Sequence, residues 1–210
     1  MKASNNYKSI QNSLSQARLA TYEKFTKDYN QALDLYRWNL QISSALFECL
    51  AICEVSIRNG VSTAIQAEHG DEWAFNARFL KTLKGNRRDD VIRSQRNHST
   101  TEKILADLPF VFWQSMFTVR FDDFWCKYLI GVLPNADSKD LKKLREEMFI
   151  DLNRLRKLRN RIAHHEPIFN RNLQSDFNTI MKVIKYCNWD LCDWISLWQR
   201  VEELLKNKPC

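Results

Sequence analysis

Four glycines and four prolines in 210 residues leave this chain little material for tight turns, and that scarcity constrains its fold more than any other feature. Glycine supplies left-handed backbone and proline a fixed φ at most chain reversals. Long intervals without either, filled by leucine, lysine and alanine, are intervals in which an α-helix can run unbroken. The chain therefore reads as all-helical. The glycines stand singly at Gly60, Gly70, Gly85 and Gly131, so no glycine-rich loop exists to cradle a nucleotide triphosphate, and kinase and P-loop readings are excluded. This length suits one domain that buries a sizeable core without disulfides or metal. We expect a single helical domain over residues 13–210 behind a flexible polar segment at 1–12.

Leu14, Leu19, Tyr22 and Phe25 give an irregular amphipathic helix. From Asp28 to His69 the helical pattern meets no proline; unbroken, it would span roughly 60 Å, so a break or offset near Trp38 to Ile42 is expected. Ser44 to Ile57 is apolar on most faces and should be core. Thr100 or Thr101 is placed to cap a helix through Ile104 and Leu108, with Glu102 in its first turn. Phe110, Trp113, Phe117, Phe121 and Phe124 follow one helix face and read as core or a dimer interface rather than a stacking platform for bases. Ser138 is a good cap for a helix from Lys139 to His164, whose Leu141, Leu144, Met148, Leu155, Leu158 and Ile162 turn inward. Leu173 to Lys206 gives one or two helices broken near Asn188, with Trp189, Trp194 and Trp198 in the core.

Thirty-two Lys and Arg against 25 Asp and Glu leave a formal charge of +7. Nine basic against four acidic residues lie between Lys139 and Arg161, so most of the surplus rides on one helix. A concentrated stripe of this kind is the footprint of a polyanion binder, although a solvated face without a ligand has the same composition. A second group, Arg87, Arg88, Arg93 and Arg96, is partly neutralised by Asp89 and Asp90 and reads as a solvated helix. The six cysteines show no C-x-x-C pair and no histidine at zinc spacing, so neither a metal site nor a cofactor is expected. Cys49 and Cys53 lie in an apolar helical run and read as reduced core thiols. The N-terminal MKASNNYKSIQNSL has no hydrophobic signal core and no run of ~18 apolar residues is found after it, so a cytoplasmic protein without a membrane partner is expected.

Arg156 to Asn170, RKLRNRIAHHEPIFN, gathers arginines, amides and two histidines at one helical end. Histidine exchanges a proton near neutral pH, while arginine stays charged and holds phosphate with a fork of donors. Together they can do general acid/base work beside a developing negative charge. An ordinary basic helix end, with cations where the macrodipole favours them, would look the same by residue type. Asn160 and His164, at i and i+4, share a helix face, whereas Arg159 and His164 are five apart and about 140° around the axis. Either the helix ends early, because Pro167 disfavours helical geometry at Glu166, or two copies meet. Glu54 and Arg58, also four apart, could be a surface ion pair or could orient the motif residues.

The ordered string Arg159, Asn160, His164, then His165-Glu166-Pro167 resembles the ribonuclease motif of the HEPN superfamily (higher eukaryotes and prokaryotes nucleotide-binding domains). The longer RNRIAHHEPIF is similar to the Abi-like branch, the abortive-infection proteins of the AbiD and AbiF type. Two further blocks stand in the order of that branch, LYRWNLQISSALFECLAICEVSIRN (Leu35 to Asn59) and LPFVFWQSMF (Leu108 to Phe117). With the helices between them the resemblance runs from about Ser13 to about Leu205. Val111 departs from it, standing where the branch carries a glycine between two aromatics.

The resemblance implies a HEPN-like helical bundle with additional helices, acting as a metal-independent RNA endonuclease in a toxin or anti-phage role. It further implies a homodimer in which two Arg/His sets surround one cleft. On that model Arg159, Asn160 and His164 are catalytic, with His164 working on the ribose 2′-hydroxyl or the leaving 5′-oxygen. His165, about 100° away, is a supporting partner or an alternative catalyst. Glu54, Arg58 and Asn59 would orient the motif from a neighbouring helix, and Arg156, Arg161 and Arg171 would contact flanking phosphates. RNA, a second copy, and an antitoxin or phage-derived trigger are the partners implied. The alternative is a non-catalytic RNA-binding or protein-interaction module in which Arg159 and His164 tie helices together.

Overall fold

The computed structural model describes residues 2–209 and, among them, helices and no strand. In order these are α1 (Lys2–Leu14), α2 (Gln16–Glu23), α3 (Tyr29–His69), α4 (Ala77–Thr82), α5 (Asn86–Asn97), α6 (Thr101–Asp107), α7 (Phe110–Ser115), α8 (Asp122–Val132) and α9 (Leu141–Ala163). Then come α10 (Leu173–Cys187), α11 (Trp189–Ser196) and α12 (Val201–Lys206), with short 3₁₀ turns at Trp73–Phe75 and Val119–Phe121. The all-α expectation holds.

α3 is the axis of the structure. The Asp28 carboxylate accepts from Asn30 and Gln31 N–H at its start, and Gly70 closes it with φ 86°. The expected break near Trp38 to Ile42 does not occur, and all 41 residues are helical. The polar groups there bond outward instead of inserting into the backbone ladder: the Trp38 indole donates to the Leu204 carbonyl at 2.7 Å, and Asn39 accepts from the chain beyond α9. α2, α7, α8, α9, α10 and α12 all pack against α3. Its inward stripe, including Leu35, Ile42, Leu46, Cys53, Ile57 and Val61, belongs to one continuous core reaching from Tyr22 to Val201. Gly60 admits α8, since a Cβ there would sit 2.9 Å from Val132 Cγ1. Contrary to the expectation that no such run exists, α3 is long and apolar enough to cross a membrane, with mean hydropathy 1.5 over 18 residues. The helices packed around it, and the carboxylates of Glu48 and Glu54 paired across to Arg200 and Arg159, give it the role of a core helix.

Several local expectations shift. The polar start forms α1, whose buried Tyr7 stacks on Tyr29 with ring centroids 4.3 Å apart and bonds to Glu23. The aromatic run after Pro109 is core, with Phe110, Phe112, Trp113, Phe117 and Trp125 buried, but not one helix. It folds as α7, the Val119–Phe121 turn and α8, and the Trp125 indole bonds the Met116 carbonyl freed at the bend. Trp189 and Trp194 are about half exposed rather than core. α11 turns Ile195 inward, and Trp189 instead lies under the Lys185 ammonium at 4.4 Å. Thr100 caps α6, and Asn188 ends α10 while capping α11. Cys49 and Cys53 are buried and unpaired; burial pushes the Cys49 thiol up to about 11 and Cys53 well above its usual range.

Candidate functional site

α9 begins two residues later than Ser138 would set it, because Asp140 takes the cap and accepts from Lys143 N–H at 3.1 Å, while Ser138 Oγ accepts from Asp140 N–H. Leu144, Met148, Leu152, Leu155 and Leu158 bury one face. The helix stops at Ala163 in a Schellman turn. Glu166 N–H donates to the Arg161 carbonyl at 2.8 Å, His165 N–H donates to the Ile162 carbonyl at 3.0 Å, and His165 holds φ 55°. A side chain pays for that left-handed backbone where glycine would not, and Pro167 comes next but one to prevent further helix.

Two contacts that sequence reasoning missed fix this turn. Arg18 of α2 donates from Nη1 to the His165 carbonyl at 2.7 Å. The buried Asn39 of α3 accepts from both Ile168 N–H at 2.8 Å and Phe169 N–H at 3.1 Å. A lone amide on the inward stripe of an apolar helix was the available signal for Asn39, since a buried polar residue is the informative exception. Arg18 offered none.

Along the seam with α3, Arg159 Nε stands 3.8 Å from Glu54 Oε2, close enough for an ion pair and too far for a hydrogen bond. Arg58 lies one turn beyond Glu54 on α3, and Arg156 one turn before Arg159 on α9. The Nε groups of Arg58, Arg156 and Arg159 are all withdrawn from solvent without a hydrogen-bond partner; Arg156 donates from Nη2 to Asn153 at 3.0 Å.

His164 and His165 are exposed, and His164 keeps near-helical backbone (φ −92°, ψ 10°). The early helix end therefore does not swing His164 back toward Arg159, and Asn160 remains its i−4 neighbour.

The family model for Abi-like proteins matches residues 3–170. The chain belongs to the Abi-like protein family. No curated protein and no solved structure gives a significant match. The match ends just past the Schellman turn, so the seam and both histidines of the Abi-like chain lie inside it, and α10 to α12 lie outside.

The remaining sequence-derived residues of this Abi-like protein are dispersed. Arg161 pairs with Glu166 at 3.2 Å on the far flank of α9. Arg171 is held by both carboxylate oxygens of the buried Asp176, at 2.9 and 3.1 Å, and Arg154 joins the same carboxylate at 2.6 Å. Its fork is thus directed at a structural partner. Asn59, about 140° around α3 from Glu54, is exposed and lines a cavity of about 700 Å³ between α3, α8 and α11 rather than facing Arg159. Among the described residues no group of three or more His, Cys, Asp and Glu is arranged to hold a metal ion.

Proposed function

We propose that this Abi-like protein is a HEPN-type RNA endonuclease that works without a metal, as a homodimer, in an abortive-infection or toxin role. The observation that carries the reading is an exposed His164 at the end of a basic helix, sharing a face with Asn160 and following a half-buried Arg159, whose Nε is withdrawn from solvent beside Glu54 without a hydrogen bond. Such a guanidinium has donors free for an anion, and such a histidine is open to a polynucleotide.

On this reading His164 of one copy removes the proton from a ribose 2′-hydroxyl, and the 2′-oxygen attacks the adjacent phosphorus. The new P–O2′ bond forms as the P–O5′ bond breaks. The leaving 5′-oxygen takes a proton from the second copy's His164, and the upstream fragment ends in a 2′,3′-cyclic phosphate. Arg159 neutralises the extra charge on the non-bridging oxygens, and Asn160 orients the imidazole one turn away. Because the nucleophile is the 2′-hydroxyl, DNA is not cut. A dimer supports this scheme because within one chain Arg159 and His164 diverge.

The Arg159–Glu54 pair also favours a second reading, in which the motif ties α9 to α3 and the protein only binds RNA or a protein partner. One experiment separates them. Total cellular RNA is incubated in EDTA with wild type, His164→Ala and Arg159→Ala, fragment ends are analysed for cyclic phosphate, and each variant is melted. Cleavage by wild type alone, with all three melting together, supports the enzyme. Lowered melting of the variants, without any cleavage by wild type, supports the binding module.

A further inference from the structure

Resting on the ribonuclease reading above, we infer that Arg58 and Arg156 form a second phosphate site beside Arg159, so that the RNA backbone runs along the α3/α9 seam. The two helices are antiparallel here. Asn39 meets Ile168 and Phe169, while Glu54, fifteen positions later on α3, meets Arg159, nine positions before Ile168. As α3 numbering rises, α9 numbering falls. One turn beyond Glu54 therefore carries Arg58 toward the level of Arg156, itself one turn before Arg159, a step of about 5.4 Å along both axes.

The charges on the seam are unbalanced. Arg58 and Arg156 each lie about one turn from the Glu54–Arg159 contact, and among the described residues that loose contact is the one ion pair on the seam. Elsewhere the protein pairs such groups closely: Arg145 with Asp122 at 2.8 Å, Arg154 and Arg171 with Asp176, and Arg87 and Arg93 with Asp90 at 2.9 Å each. Arg58 differs from these in having no ion-pair partner among the described residues. Its Nε is out of solvent with no acceptor, the condition in which a buried donor costs free energy until an anion arrives. A phosphodiester supplies acceptor oxygens and charge in the planar form that arginine grips in two places. Successive phosphates of an extended strand lie about one helical turn apart, matching the step from Arg159 to the Arg58/Arg156 level. Glu54 sits at the Arg159 level and partly offsets that charge, leaving the Arg58/Arg156 level without a counter-charge until RNA supplies one. Arg58 is thus a binding residue for the phosphate next to the scissile one, beyond any orienting role.

The test measures binding of a fluorescently labelled single-stranded oligoribonucleotide across a salt series, in EDTA, with the His164→Ala protein as parent so that no strand is cut. Each lost phosphate contact lowers the slope of log affinity against log salt by about 0.7. Arg58→Gln and Arg156→Gln are each expected to weaken binding by about tenfold at low salt and to lower the slope by about one such step. Arg58→Lys, which keeps the charge, is expected to keep the slope. Arg37→Gln, at an exposed site paired with Asp34, is expected to match the parent. A merely structural Arg58 would change the melting temperature without changing the slope. An unchanged slope in Arg58→Gln, with RNA still bound, overturns the second site and leaves the ribonuclease reading standing. Absence of RNA binding by the parent overturns both.

Discussion

Replacing Asn39 with alanine tests how the exit from the motif is held. Its side-chain oxygen is the acceptor for two backbone N–H groups, on Ile168 and Phe169, and both those residues and Asn39 are nearly inaccessible to water. With the oxygen gone the two donors have no solvent to turn to, and each unsatisfied buried donor costs about 1–3 kcal/mol. The pair sums to about 2–6 kcal/mol, a large share of the roughly 5–15 kcal/mol that holds a protein of this kind together. At about 2–4 °C per kcal/mol for a chain of this size, melting should fall by roughly 4–24 °C. Urea unfolding followed by tryptophan fluorescence would read the free energy, and amide exchange would locate it, with Ile168 and Phe169 losing protection first. Asn39→Asp keeps the acceptor at the cost of a buried charge and should fall between wild type and alanine. A loss below ~1 kcal/mol, or unchanged protection at Ile168 and Phe169, would refute the argument that these two bonds pin the turn.

His165→Gly should leave stability unchanged or raise it by up to about 1 kcal/mol, since glycine relieves the left-handed backbone at φ 55° while adding freedom to the unfolded chain. The same variant should retain cleavage if His164 is the catalyst, and its loss of cleavage would transfer that role to His165. Asp176→Ala should destabilise by about 3 kcal/mol, the low end for a broken buried pair, because Arg154 and Arg171 can partly turn to solvent; a thermal melt equal to wild type would show that the carboxylate contributes nothing.

Much of the helical plan was written in single residues. Scarce glycine and proline foretold long helices, and Thr100 and Asn188 marked helix ends where the structure has them. The parts that stayed illegible depended on partners distant in sequence. The uninterrupted α3 relies on Leu204, Ile168 and Phe169 to receive its polar groups, none of which a local pattern can assign. Ser138 and Asp140 are both good caps, and only the backbone path decides between them. The exposed faces of Trp189 and Trp194 result from the shortness of α11, which can bury one stripe at a time. For the candidate site, Glu54 facing Arg159 was foreseeable once the two helices were set side by side. The engagement of Arg171 with Asp176 was hidden, because any arginine near a basic helix looks available until its counter-ion is located.

The family match stops at residue 170, yet α3 cannot shed the helices beyond that point. α10 and α12 lie along it, the Trp38 indole reaches to the Leu204 carbonyl, and Lys208 donates to the carbonyl of Phe169, just past the Schellman turn. The stretch shared with the family is therefore a signature and not a self-sufficient piece of protein. A chimera that joined residues 1–170 to another relative's tail would set an unfamiliar clasp against this helix, and would fold only where the two surfaces had been fitted to each other.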